Sequence, residues 1–207
     1  MNLMETWLPT FGVIFAIIDP FGYVPIFLSL TAGDSEAQRR KMIRKACLTA
    51  FIVLTLSTFI GQQILSFFGI SIPALQISGG LILLIIGFEM MKVLPVVEKL
   101  SQKEETESAR KEDISIVPLA IPMLSGPASI ATVIVLSSQA KSLTDYPVII
   151  SCILVTLVIT YLVLRSSTRL IKIIGVTGLN VMTRVMGLLL CAIAIQYVIN
   201  GYLAVKT

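Results

Sequence analysis

Long apolar segments, separated by short charged ones, dominate the chain. No charged residue occurs from Ala46 to Phe88, and further uncharged runs cover residues 114–140, 146–164 and 185–205. Apolar and polar positions do not alternate in these runs, so the pattern predicts helices rather than the strands of a β-barrel. Each run provides close to the about 20 residues that a helix needs to cross a hydrocarbon core.

A turn divides the longest run, and the N-terminal segment adds another span. Residues 68–73 (FGISIP) combine a glycine and a proline, which together predict a tight turn. The segment 7–30 is apolar apart from Asp19. The sequence therefore predicts an all-α integral membrane protein with six transmembrane helices. The predicted spans cover about residues 7–30, 46–67, 74–96, 114–138, 146–165 and 182–204.

Composition leads to the same class of protein. Hydrophobic residues make up 56% and charged residues 14% of the chain, which contains no histidine, and the mean hydropathy is +0.92. Soluble domains carry about 25% charged residues, so this chain could not cover itself with polar surface in water. Without histidine it can form neither a Ser-His-Asp triad nor a histidine-ligated zinc site. The three cysteines lie in or beside apolar runs, which favours packing, and we expect no cofactor, no metal site and no catalytic residue.

The positions of lysine and arginine predict the orientation. Thirteen of these 16 residues lie in loops on the side of the membrane opposite the N-terminus, and Arg184 lies at the end of the last span on that same side. Lys141 and Lys206 lie on the N-terminal side. Basic loops stay in the cytoplasm. We therefore expect a multi-pass protein of a bacterial inner membrane with both termini outside, in the periplasm or extracellular space. Topology accounts for the net charge of +4, so nucleic acid is not an expected partner. Residues 1–6 contain no basic residue, which argues against a cleaved signal peptide.

An internal repeat relates the two halves. Residues 20–25 (PFGYVP) and 122–127 (PMLSGP) each place two prolines five positions apart with a glycine between them. The third spans also correspond, because residues 80–89 resemble residues 187–196. Three spans is an odd number, so the second repeat enters the membrane from the opposite side, as in many secondary transporters. The predicted organisation is a first three-helix repeat (1–97), a cytoplasmic linker (98–113) and a second, inverted repeat (114–207).

The paired proline motifs should break helices 1 and 4 near the middle of the membrane. Proline removes a backbone donor, and unwound backbone in a membrane must be buried in protein or line a wet cavity. Half-helix ends there offer N–H groups to a carboxylate and carbonyls to an ammonium group, which suits a small zwitterion such as an amino acid. Packing kinks are the alternative, but two matched kinks favour a site. The predicted substrate-binding residues are Asp19, Pro20, Gly22, Tyr23, Pro25, Pro122, Ser125, Gly126, Pro127 and Ser129.

Two acidic residues inside spans leave their roles open. A carboxylate at mid-span costs roughly 3 kcal/mol or more unless it is paired, protonated or hydrated. Asp19 could hold a substrate ammonium or exchange a proton, or it could cap the half-helix that follows Pro20. Glu89 could take part in the site or extend to the interface beside Lys92. Both allow proton or ion coupling, and the sequence allows a homo-oligomer without specifying one.

The two proline segments resemble the paired signatures of a known family. Residues 19–27 (DPFGYVPIF) and 118–127 (PLAIPMLSGP) are similar to those of the MarC family of bacterial inner-membrane proteins, as are residues 78–80 and 184–187. The resemblance implies six helices, outward termini, inverted halves and transport of small neutral amino acids such as alanine, glycine, serine or threonine, with export the usual direction. Many members carry Gly-Pro-Gly in the second motif, whereas Ala128 follows Pro127 here and could narrow the site.

The residues predict a secondary transporter that works by alternating access, and the resemblance implies that it exports small neutral amino acids. The lipid bilayer and these amino acids are its expected partners. Three alternatives remain: a passive channel, a structural membrane subunit, and an intramembrane enzyme with Asp19 and Glu89 as its acids. No Walker motif occurs, so ATP hydrolysis is not expected.

Overall fold

The structure, a computed structural model, describes residues 3–92, 124–140, 142 and 145–206. Across these residues it consists of helices and turns, without a strand. The helices are α1 (Leu3–Ile18), α2 (Tyr23–Leu30), α3 (Glu36–Phe67), α4 (Ile72–Met90), α5 (Pro127–Ser138), α6 (Asp145–Arg165) and α7 (Ser167–Lys206). Four of these described helices are long and apolar enough to cross a membrane, namely α3, α4, α6 and α7, and the bent pair of α1 and α2 makes a fifth candidate span.

The predicted fourth span is described only in its second part. The short helix α5 has 12 residues and corresponds to the end of the predicted span 114–138. The first part of that span lies outside the described residues, as do Pro122 and the predicted linker 98–113. The described segments therefore contain four to five candidate spans, where the sequence predicts six.

Two helices extend well beyond the predicted spans because their polar ends are capped or bent. Helix α3 begins at Glu36 rather than near residue 46, since Ser35 and Gln38 form a capping box that satisfies free N–H groups of its first turn. Helix α7 begins at Ser167 rather than near residue 182, and Gly175 breaks its course with φ at 72°. Helix α4 ends at Met90, earlier than the predicted residue 96.

The predicted turn after α3 is a Schellman motif. Gly69 has a φ of 67°, a left-handed conformation that favours glycine. The N–H of Ile70 donates to the carbonyl of Leu65 at 2.9 Å, and the N–H of Gly69 donates to that of Ser66 at 3.1 Å. Ser71 then caps α4 through a bond from the N–H of Ala74. The chain thus reverses direction within four residues and starts α4.

The buried side chains form two clusters that hold the helices together. The larger cluster joins α1, α2, α3, α5, α6 and, through Leu179, α7, and the smaller one joins α1, α4, α5 and α7. Exposed large hydrophobic side chains lie along α3, α4, α6 and α7. An apolar outer surface is what a protein surrounded by lipid requires, because hydrocarbon offers polar groups no partners.

A row of glycines brings α4 and α7 into close contact. A Cβ added to Gly80 would lie 2.7 Å from the carbonyl oxygen of Ala194, and one added to Gly187 would lie 2.9 Å from that of Gly87. At Gly201 a Cβ would lie 2.9 Å from the carbonyl oxygen of Pro73. Small residues let membrane helices approach at backbone distance. We call Gly80, Gly87, Gly187 and Gly201 the glycine seam.

Candidate functional site

The first predicted break is present between α1 and α2. Helix α1 ends at Ile18, α2 begins at Tyr23, and the two helices are bent by 41°. Asp19 has a φ of 37°, in the left-handed region that aspartate tolerates better than most residues do. Its N–H still donates to the carbonyl of Phe15 at 2.9 Å, so the helical hydrogen bonding of α1 continues as far as this residue. The polar backbone of the break is therefore organised around Asp19.

The carboxylate of Asp19 is buried and holds the turn that follows it. Asp19 is only 5% exposed, and its carboxylate accepts hydrogen bonds from the N–H groups of Phe21 and Gly22. The oxygen Oδ1 has no hydrogen-bond partner among the described residues. The side chain thus holds the turn of residues 20–22, whereas the N-cap of α2 is Gly22, which makes no side-chain capping bond. One buried oxygen of Asp19 stays available to a donor.

Gly22 allows the carboxylate to lie against the backbone. A Cβ added there would overlap Oδ2 of Asp19 and would lie 3.5 Å from Cγ2 of Thr183 on α7. The backbone of Gly22 is right-handed, so close approach rather than a special φ explains the glycine. Of the other predicted site residues near this break, Pro20 is buried, and Tyr23 and Pro25 are half-buried.

The second break delivers a helix N-terminus. Gly126 precedes α5 in an extended conformation, and Pro127 is its first residue, where the missing N–H costs nothing. Ser125 and Ser129 are buried, at 0% and 6% exposure. Pro127 itself is exposed, so it starts the helix from the rim of the predicted site. Pro122 lies outside the described residues, so its predicted role stays a prediction.

Residues beside the two breaks pack against each other. Ile17 and Ile18 at the end of α1 border the same small space as Ser129 and Thr132 on α5. Leu124, just before the second break, belongs to the same buried cluster as Ile18. This space has no room for a water molecule. The described residues beside the two proline motifs thus pack together in a closed arrangement.

Further polar groups lie around this region. The hydroxyl of Tyr23 interacts electrostatically with the carboxylates of Asp19 and Glu89. Tyr197 of α7 lies beside Thr132, and we did not expect it as a site residue. A tyrosine inside an otherwise apolar span was the available signal, since a buried hydroxyl needs a partner.

The arrangement offers charge and hydrogen bonds but no metal centre. Within the segments that the structure describes, no three His, Cys, Asp or Glu side chains come together as metal ligands. A buried carboxylate can bind an ammonium group, and hydroxyls with a helix N-terminus can bind a carboxylate. These groups suit the binding of a small zwitterion.

Known membrane proteins match this chain over nearly its whole length. The family described as "MarC family integral membrane protein" matches residues 4–205. A UPF0056 membrane protein of Methanocaldococcus jannaschii is 37% identical over 96% of this chain and 96% of its own length. The UPF0056 membrane protein YvbG of Bacillus subtilis is 36% identical, covering 91% of this chain and 90% of its own. The UPF0056 membrane protein YhcE of Escherichia coli is 34% identical, covering 91% of this chain and 87% of its own length. No solved structure matches. The chain is therefore a member of the MarC family of integral membrane proteins.

Proposed function

We propose that this protein is a secondary transporter that exports small neutral amino acids by alternating access. The observation that carries the proposal is the buried carboxylate of Asp19, which lies in an interrupted helix packed against the start of α5. An ionisable group inside a membrane span costs free energy, so it indicates a functional site. The symmetric packing of the helices, the polar groups at the two breaks and the closed space between them give further support.

The pairing of α4 with α7 supports an inverted repeat. Adding 107 to the residue number relates Gly80 to Gly187 and Gly87 to Ala194. The close approach of Gly80 to the carbonyl of Ala194 then has a counterpart in the approach of Gly187 to that of Gly87. A contact that returns when the two helices are exchanged is the mark of a two-fold axis.

The buried leucines of this helix pair fit the same relation. Leu83 and Leu190 also differ by 107, lie at the centre of the pairing, and are both 0% exposed. An axis between them relates two halves of opposite topology, as expected when each half has three spans.

The packing of the other helices follows the same exchange. Helix α2, in the first repeat, packs on α6, and its counterpart α5, in the second repeat, packs on α3. The two second spans, α3 and α6, pack on each other, and the first span of each repeat also contacts the third span of the other. In this reading α6 corresponds to α3, and α5 corresponds to the latter part of the bent pair of α1 and α2. Each half therefore completes the packing of the other.

The chemistry of the breaks fits both ends of an amino acid. The ammonium group would donate to Asp19, whose Oδ1 is without a partner among the described residues. The carboxylate would accept from the N-terminus of α5 near Gly126, with hydroxyl contacts from Ser129. The short distance between two closely packed breaks favours a small side chain, so we propose alanine, glycine, serine and threonine as substrates.

The closed arrangement fits a carrier rather than an open pore. Because the space beside Ser129 and Thr132 admits no water, a substrate can enter only after the halves move apart. Alternating access achieves this by rocking one half against the other around a fixed site. A continuously open channel would have a wet path through this region.

Orientation and coupling complete the proposal. Basic residues concentrate on one side, so we place that side in the cytoplasm of an inner membrane and both termini outside. Exchange of a proton at Asp19 or Glu89 would couple transport to a gradient. Catalysis, a cofactor and nucleic-acid binding are not part of this function, and a homo-oligomer is compatible with it.

Counterflow in proteoliposomes tests this function. Vesicles with the purified protein are loaded with unlabelled alanine, serine or threonine, and the labelled amino acid is added outside. We expect saturable accumulation, which should be lost in Gly126→Leu because a large side chain would enter a buried position. Gly12→Leu is the matched control, since a Cβ there meets nothing within 4 Å. A thermal unfolding midpoint for each variant separates lost transport from lost folding.

The other outcomes identify the alternatives. No counterflow with any of these amino acids, in protein that unfolds cooperatively, rejects the substrate class or the carrier. Flux that neither saturates nor shows counterflow indicates a channel. Activity only with a copurifying partner indicates a structural subunit. Peptide cleavage that is lost in Asp19→Ala indicates an intramembrane enzyme. Normal flux in Gly126→Leu moves the site away from the breaks.

A further inference from the structure

A basic pocket lies at one end of the helix bundle, away from the two breaks. It has a volume of about 200 Å³ and is enclosed by the start of α3, the end of α6 and the start of α7, with Phe27 of α2 at its base. Its lining includes four arginines and, within the described chain, one carboxylate, that of Glu36. The arginines are Arg39, Arg40, Arg165 and Arg169.

One of these arginines is held in place by the fold. The Nε and Nη2 groups of Arg39 both donate to the carbonyl oxygen of Thr31, at 3.0 and 2.7 Å. Thr31 is fully buried, so this carbonyl is a fixed acceptor. A guanidinium group has five N–H donors, and these bonds use two of them. Arg39 is therefore positioned to bind a second acceptor without further ordering.

The carboxylate in the pocket neutralises only part of the charge. Glu36 and Arg40 form an ion pair at 3.0 Å, with both side chains mostly exposed. Exposed pairs contribute little free energy, so Arg40 can exchange this partner for a stronger one. After this pair is counted, Arg39, Arg165 and Arg169 still give the pocket excess positive charge.

The start of α7 adds neutral donors to the same pocket. Ser166, Ser167 and Thr168 line it, and the helical stretch 167–174 runs from there to the break at Gly175. The N–H groups at a helix start carry partial positive charge and bind phosphate oxygens well. Arginines, hydroxyls and a helix start thus surround one space, a combination suited to phosphate.

An apolar groove begins one helical turn from this pocket. It has a volume of about 400 Å³ and runs between α3 and α6, with Arg44 and Tyr161 on its lining. Arg44 follows Arg40 by four residues on α3, and Arg165 follows Tyr161 by four residues on α6, so each pair spans one turn. Apolar side chains form the rest of the groove, among them Leu48, Phe51, Leu154, Leu157 and Val158.

We propose that the pocket and groove together bind an anionic phospholipid. The phosphate lies among the arginines, and an acyl chain lies in the groove between α3 and α6. The pocket is at the end of two candidate spans, where headgroups are found, and basic pockets between membrane helices bind anionic headgroups. A soluble phosphate would have no use for the groove, so the short separation of the two, one helical turn along both α3 and α6, favours a lipid. This site does not depend on what the protein transports.

Thermal unfolding of the full-length protein in detergent tests the proposal. The probes are short-chain phosphatidylglycerol, phosphatidylcholine with the same chains, and inorganic phosphate. A ligand that binds only the folded state raises the midpoint, and we expect a rise of roughly 5 °C at saturating phosphatidylglycerol. Phosphatidylcholine and inorganic phosphate should each give less than half of that rise.

Two variants test the two parts of the site. The double variant Arg165→Gln/Arg169→Gln should lose the preference for phosphatidylglycerol. The double variant Lys41→Gln/Lys172→Gln removes the same charge from exposed residues outside the pocket and should retain it. Val158→Trp fills the groove, so it should reduce the extra effect of eight-carbon over six-carbon acyl chains.

Each contrary result rejects a defined part of the proposal. An equal rise with inorganic phosphate makes the site one for a soluble anion. An equal rise with phosphatidylcholine shows that the arginines do not select the ligand. An unchanged preference in the arginine variant, or an equal loss in the lysine control, shows that general surface charge causes the effect.

Discussion

The break around Asp19 and the glycine seam are two close contacts that are built in opposite ways. At the break, a left-handed residue and a buried carboxylate hold the turn of residues 20–22 between two helices. At the seam, two unbroken stretches of helix approach until a Cβ would touch a carbonyl oxygen of the other helix. The break keeps polar groups in an apolar interior, whereas the seam excludes everything larger than a hydrogen atom.

This difference indicates how a small membrane protein can use one region for stability and another for function. Close packing of helices supplies stability in lipid, because no hydrophobic effect draws the helices together there. Groups that remain polar and incompletely bonded, such as Oδ1 of Asp19, cost stability and are retained where they bind something. Substitutions in the seam should therefore change stability first, and substitutions in the break should change transport first.

The largest expected effect is a lower unfolding midpoint in Gly87→Leu. A Cβ at Gly87 would lie 2.5 Å from Sγ of Cys191 and 3.0 Å from the carbonyl oxygen of Gly187, and the backbone cannot withdraw without separating α4 from α7. Overpacking of this extent should lower the unfolding midpoint by about 10 °C. Fluorescence of Trp7, the single tryptophan, measures it because its ring stacks on Phe11. Gly12→Leu should unfold as wild type does, and an equal midpoint for Gly87→Leu would show that the seam is not closely packed.

A large effect confined to transport is expected for Asp19→Asn. Asparagine keeps the shape and one acceptor for the N–H groups of Phe21 and Gly22, but it removes the negative charge that binds an ammonium group. A hydrogen bond to a charged group contributes about 1.5–3 kcal/mol, so counterflow should fall roughly 10- to 100-fold. The unfolding midpoint should change by only a few degrees.

A second variant distinguishes the two roles of Asp19. Gly22→Ala would displace the carboxylate while leaving its charge, so it should reduce counterflow as well. If both variants transport normally at unchanged midpoints, Asp19 acts only as a cap and the contrast between break and seam loses its functional meaning.

The smallest expected effect separates two neighbouring glycines of α4. A Cβ at Gly79 would lie 3.2 Å from Cβ of Ala131, so a small displacement of α5 relieves the contact. Alanine also gains about 1 kcal/mol over glycine within a helix, so Gly79→Ala should change the midpoint by about 2 °C or less. Gly80→Ala should lower it more, because its Cβ would lie 2.7 Å from a backbone oxygen of Ala194. Equal midpoints for the two variants would place the closest contact of α4 elsewhere.

The sequence predicted the helical class and several boundaries because they depend on local patterns. Helix α6 covers 145–165 against a predicted 146–165, and the turn around Gly69 has the expected conformation. The beginnings of α3 and α7 were missed, since caps and a kink let a helix continue through polar residues that a count of apolar positions treats as loop. The inverted repeat and the site remain proposals, because the upstream part of the second break is outside the described residues.

What the sequence determined by itself is that this protein lies in lipid and that its first span is interrupted. Hydropathy requires lipid, and the segment that begins at Asp19-Pro20 interrupts the first span, although Pro9 and Pro25 lie inside helices. Only the tertiary structure decided which residues meet: that Ser129 lies by the end of α1, that Gly87 faces Gly187, and that arginines from α3, α6 and α7 surround one pocket. Those contacts join residues far apart in the chain. They depend on how closely helices can approach, which is decided by the side chains of both partners together.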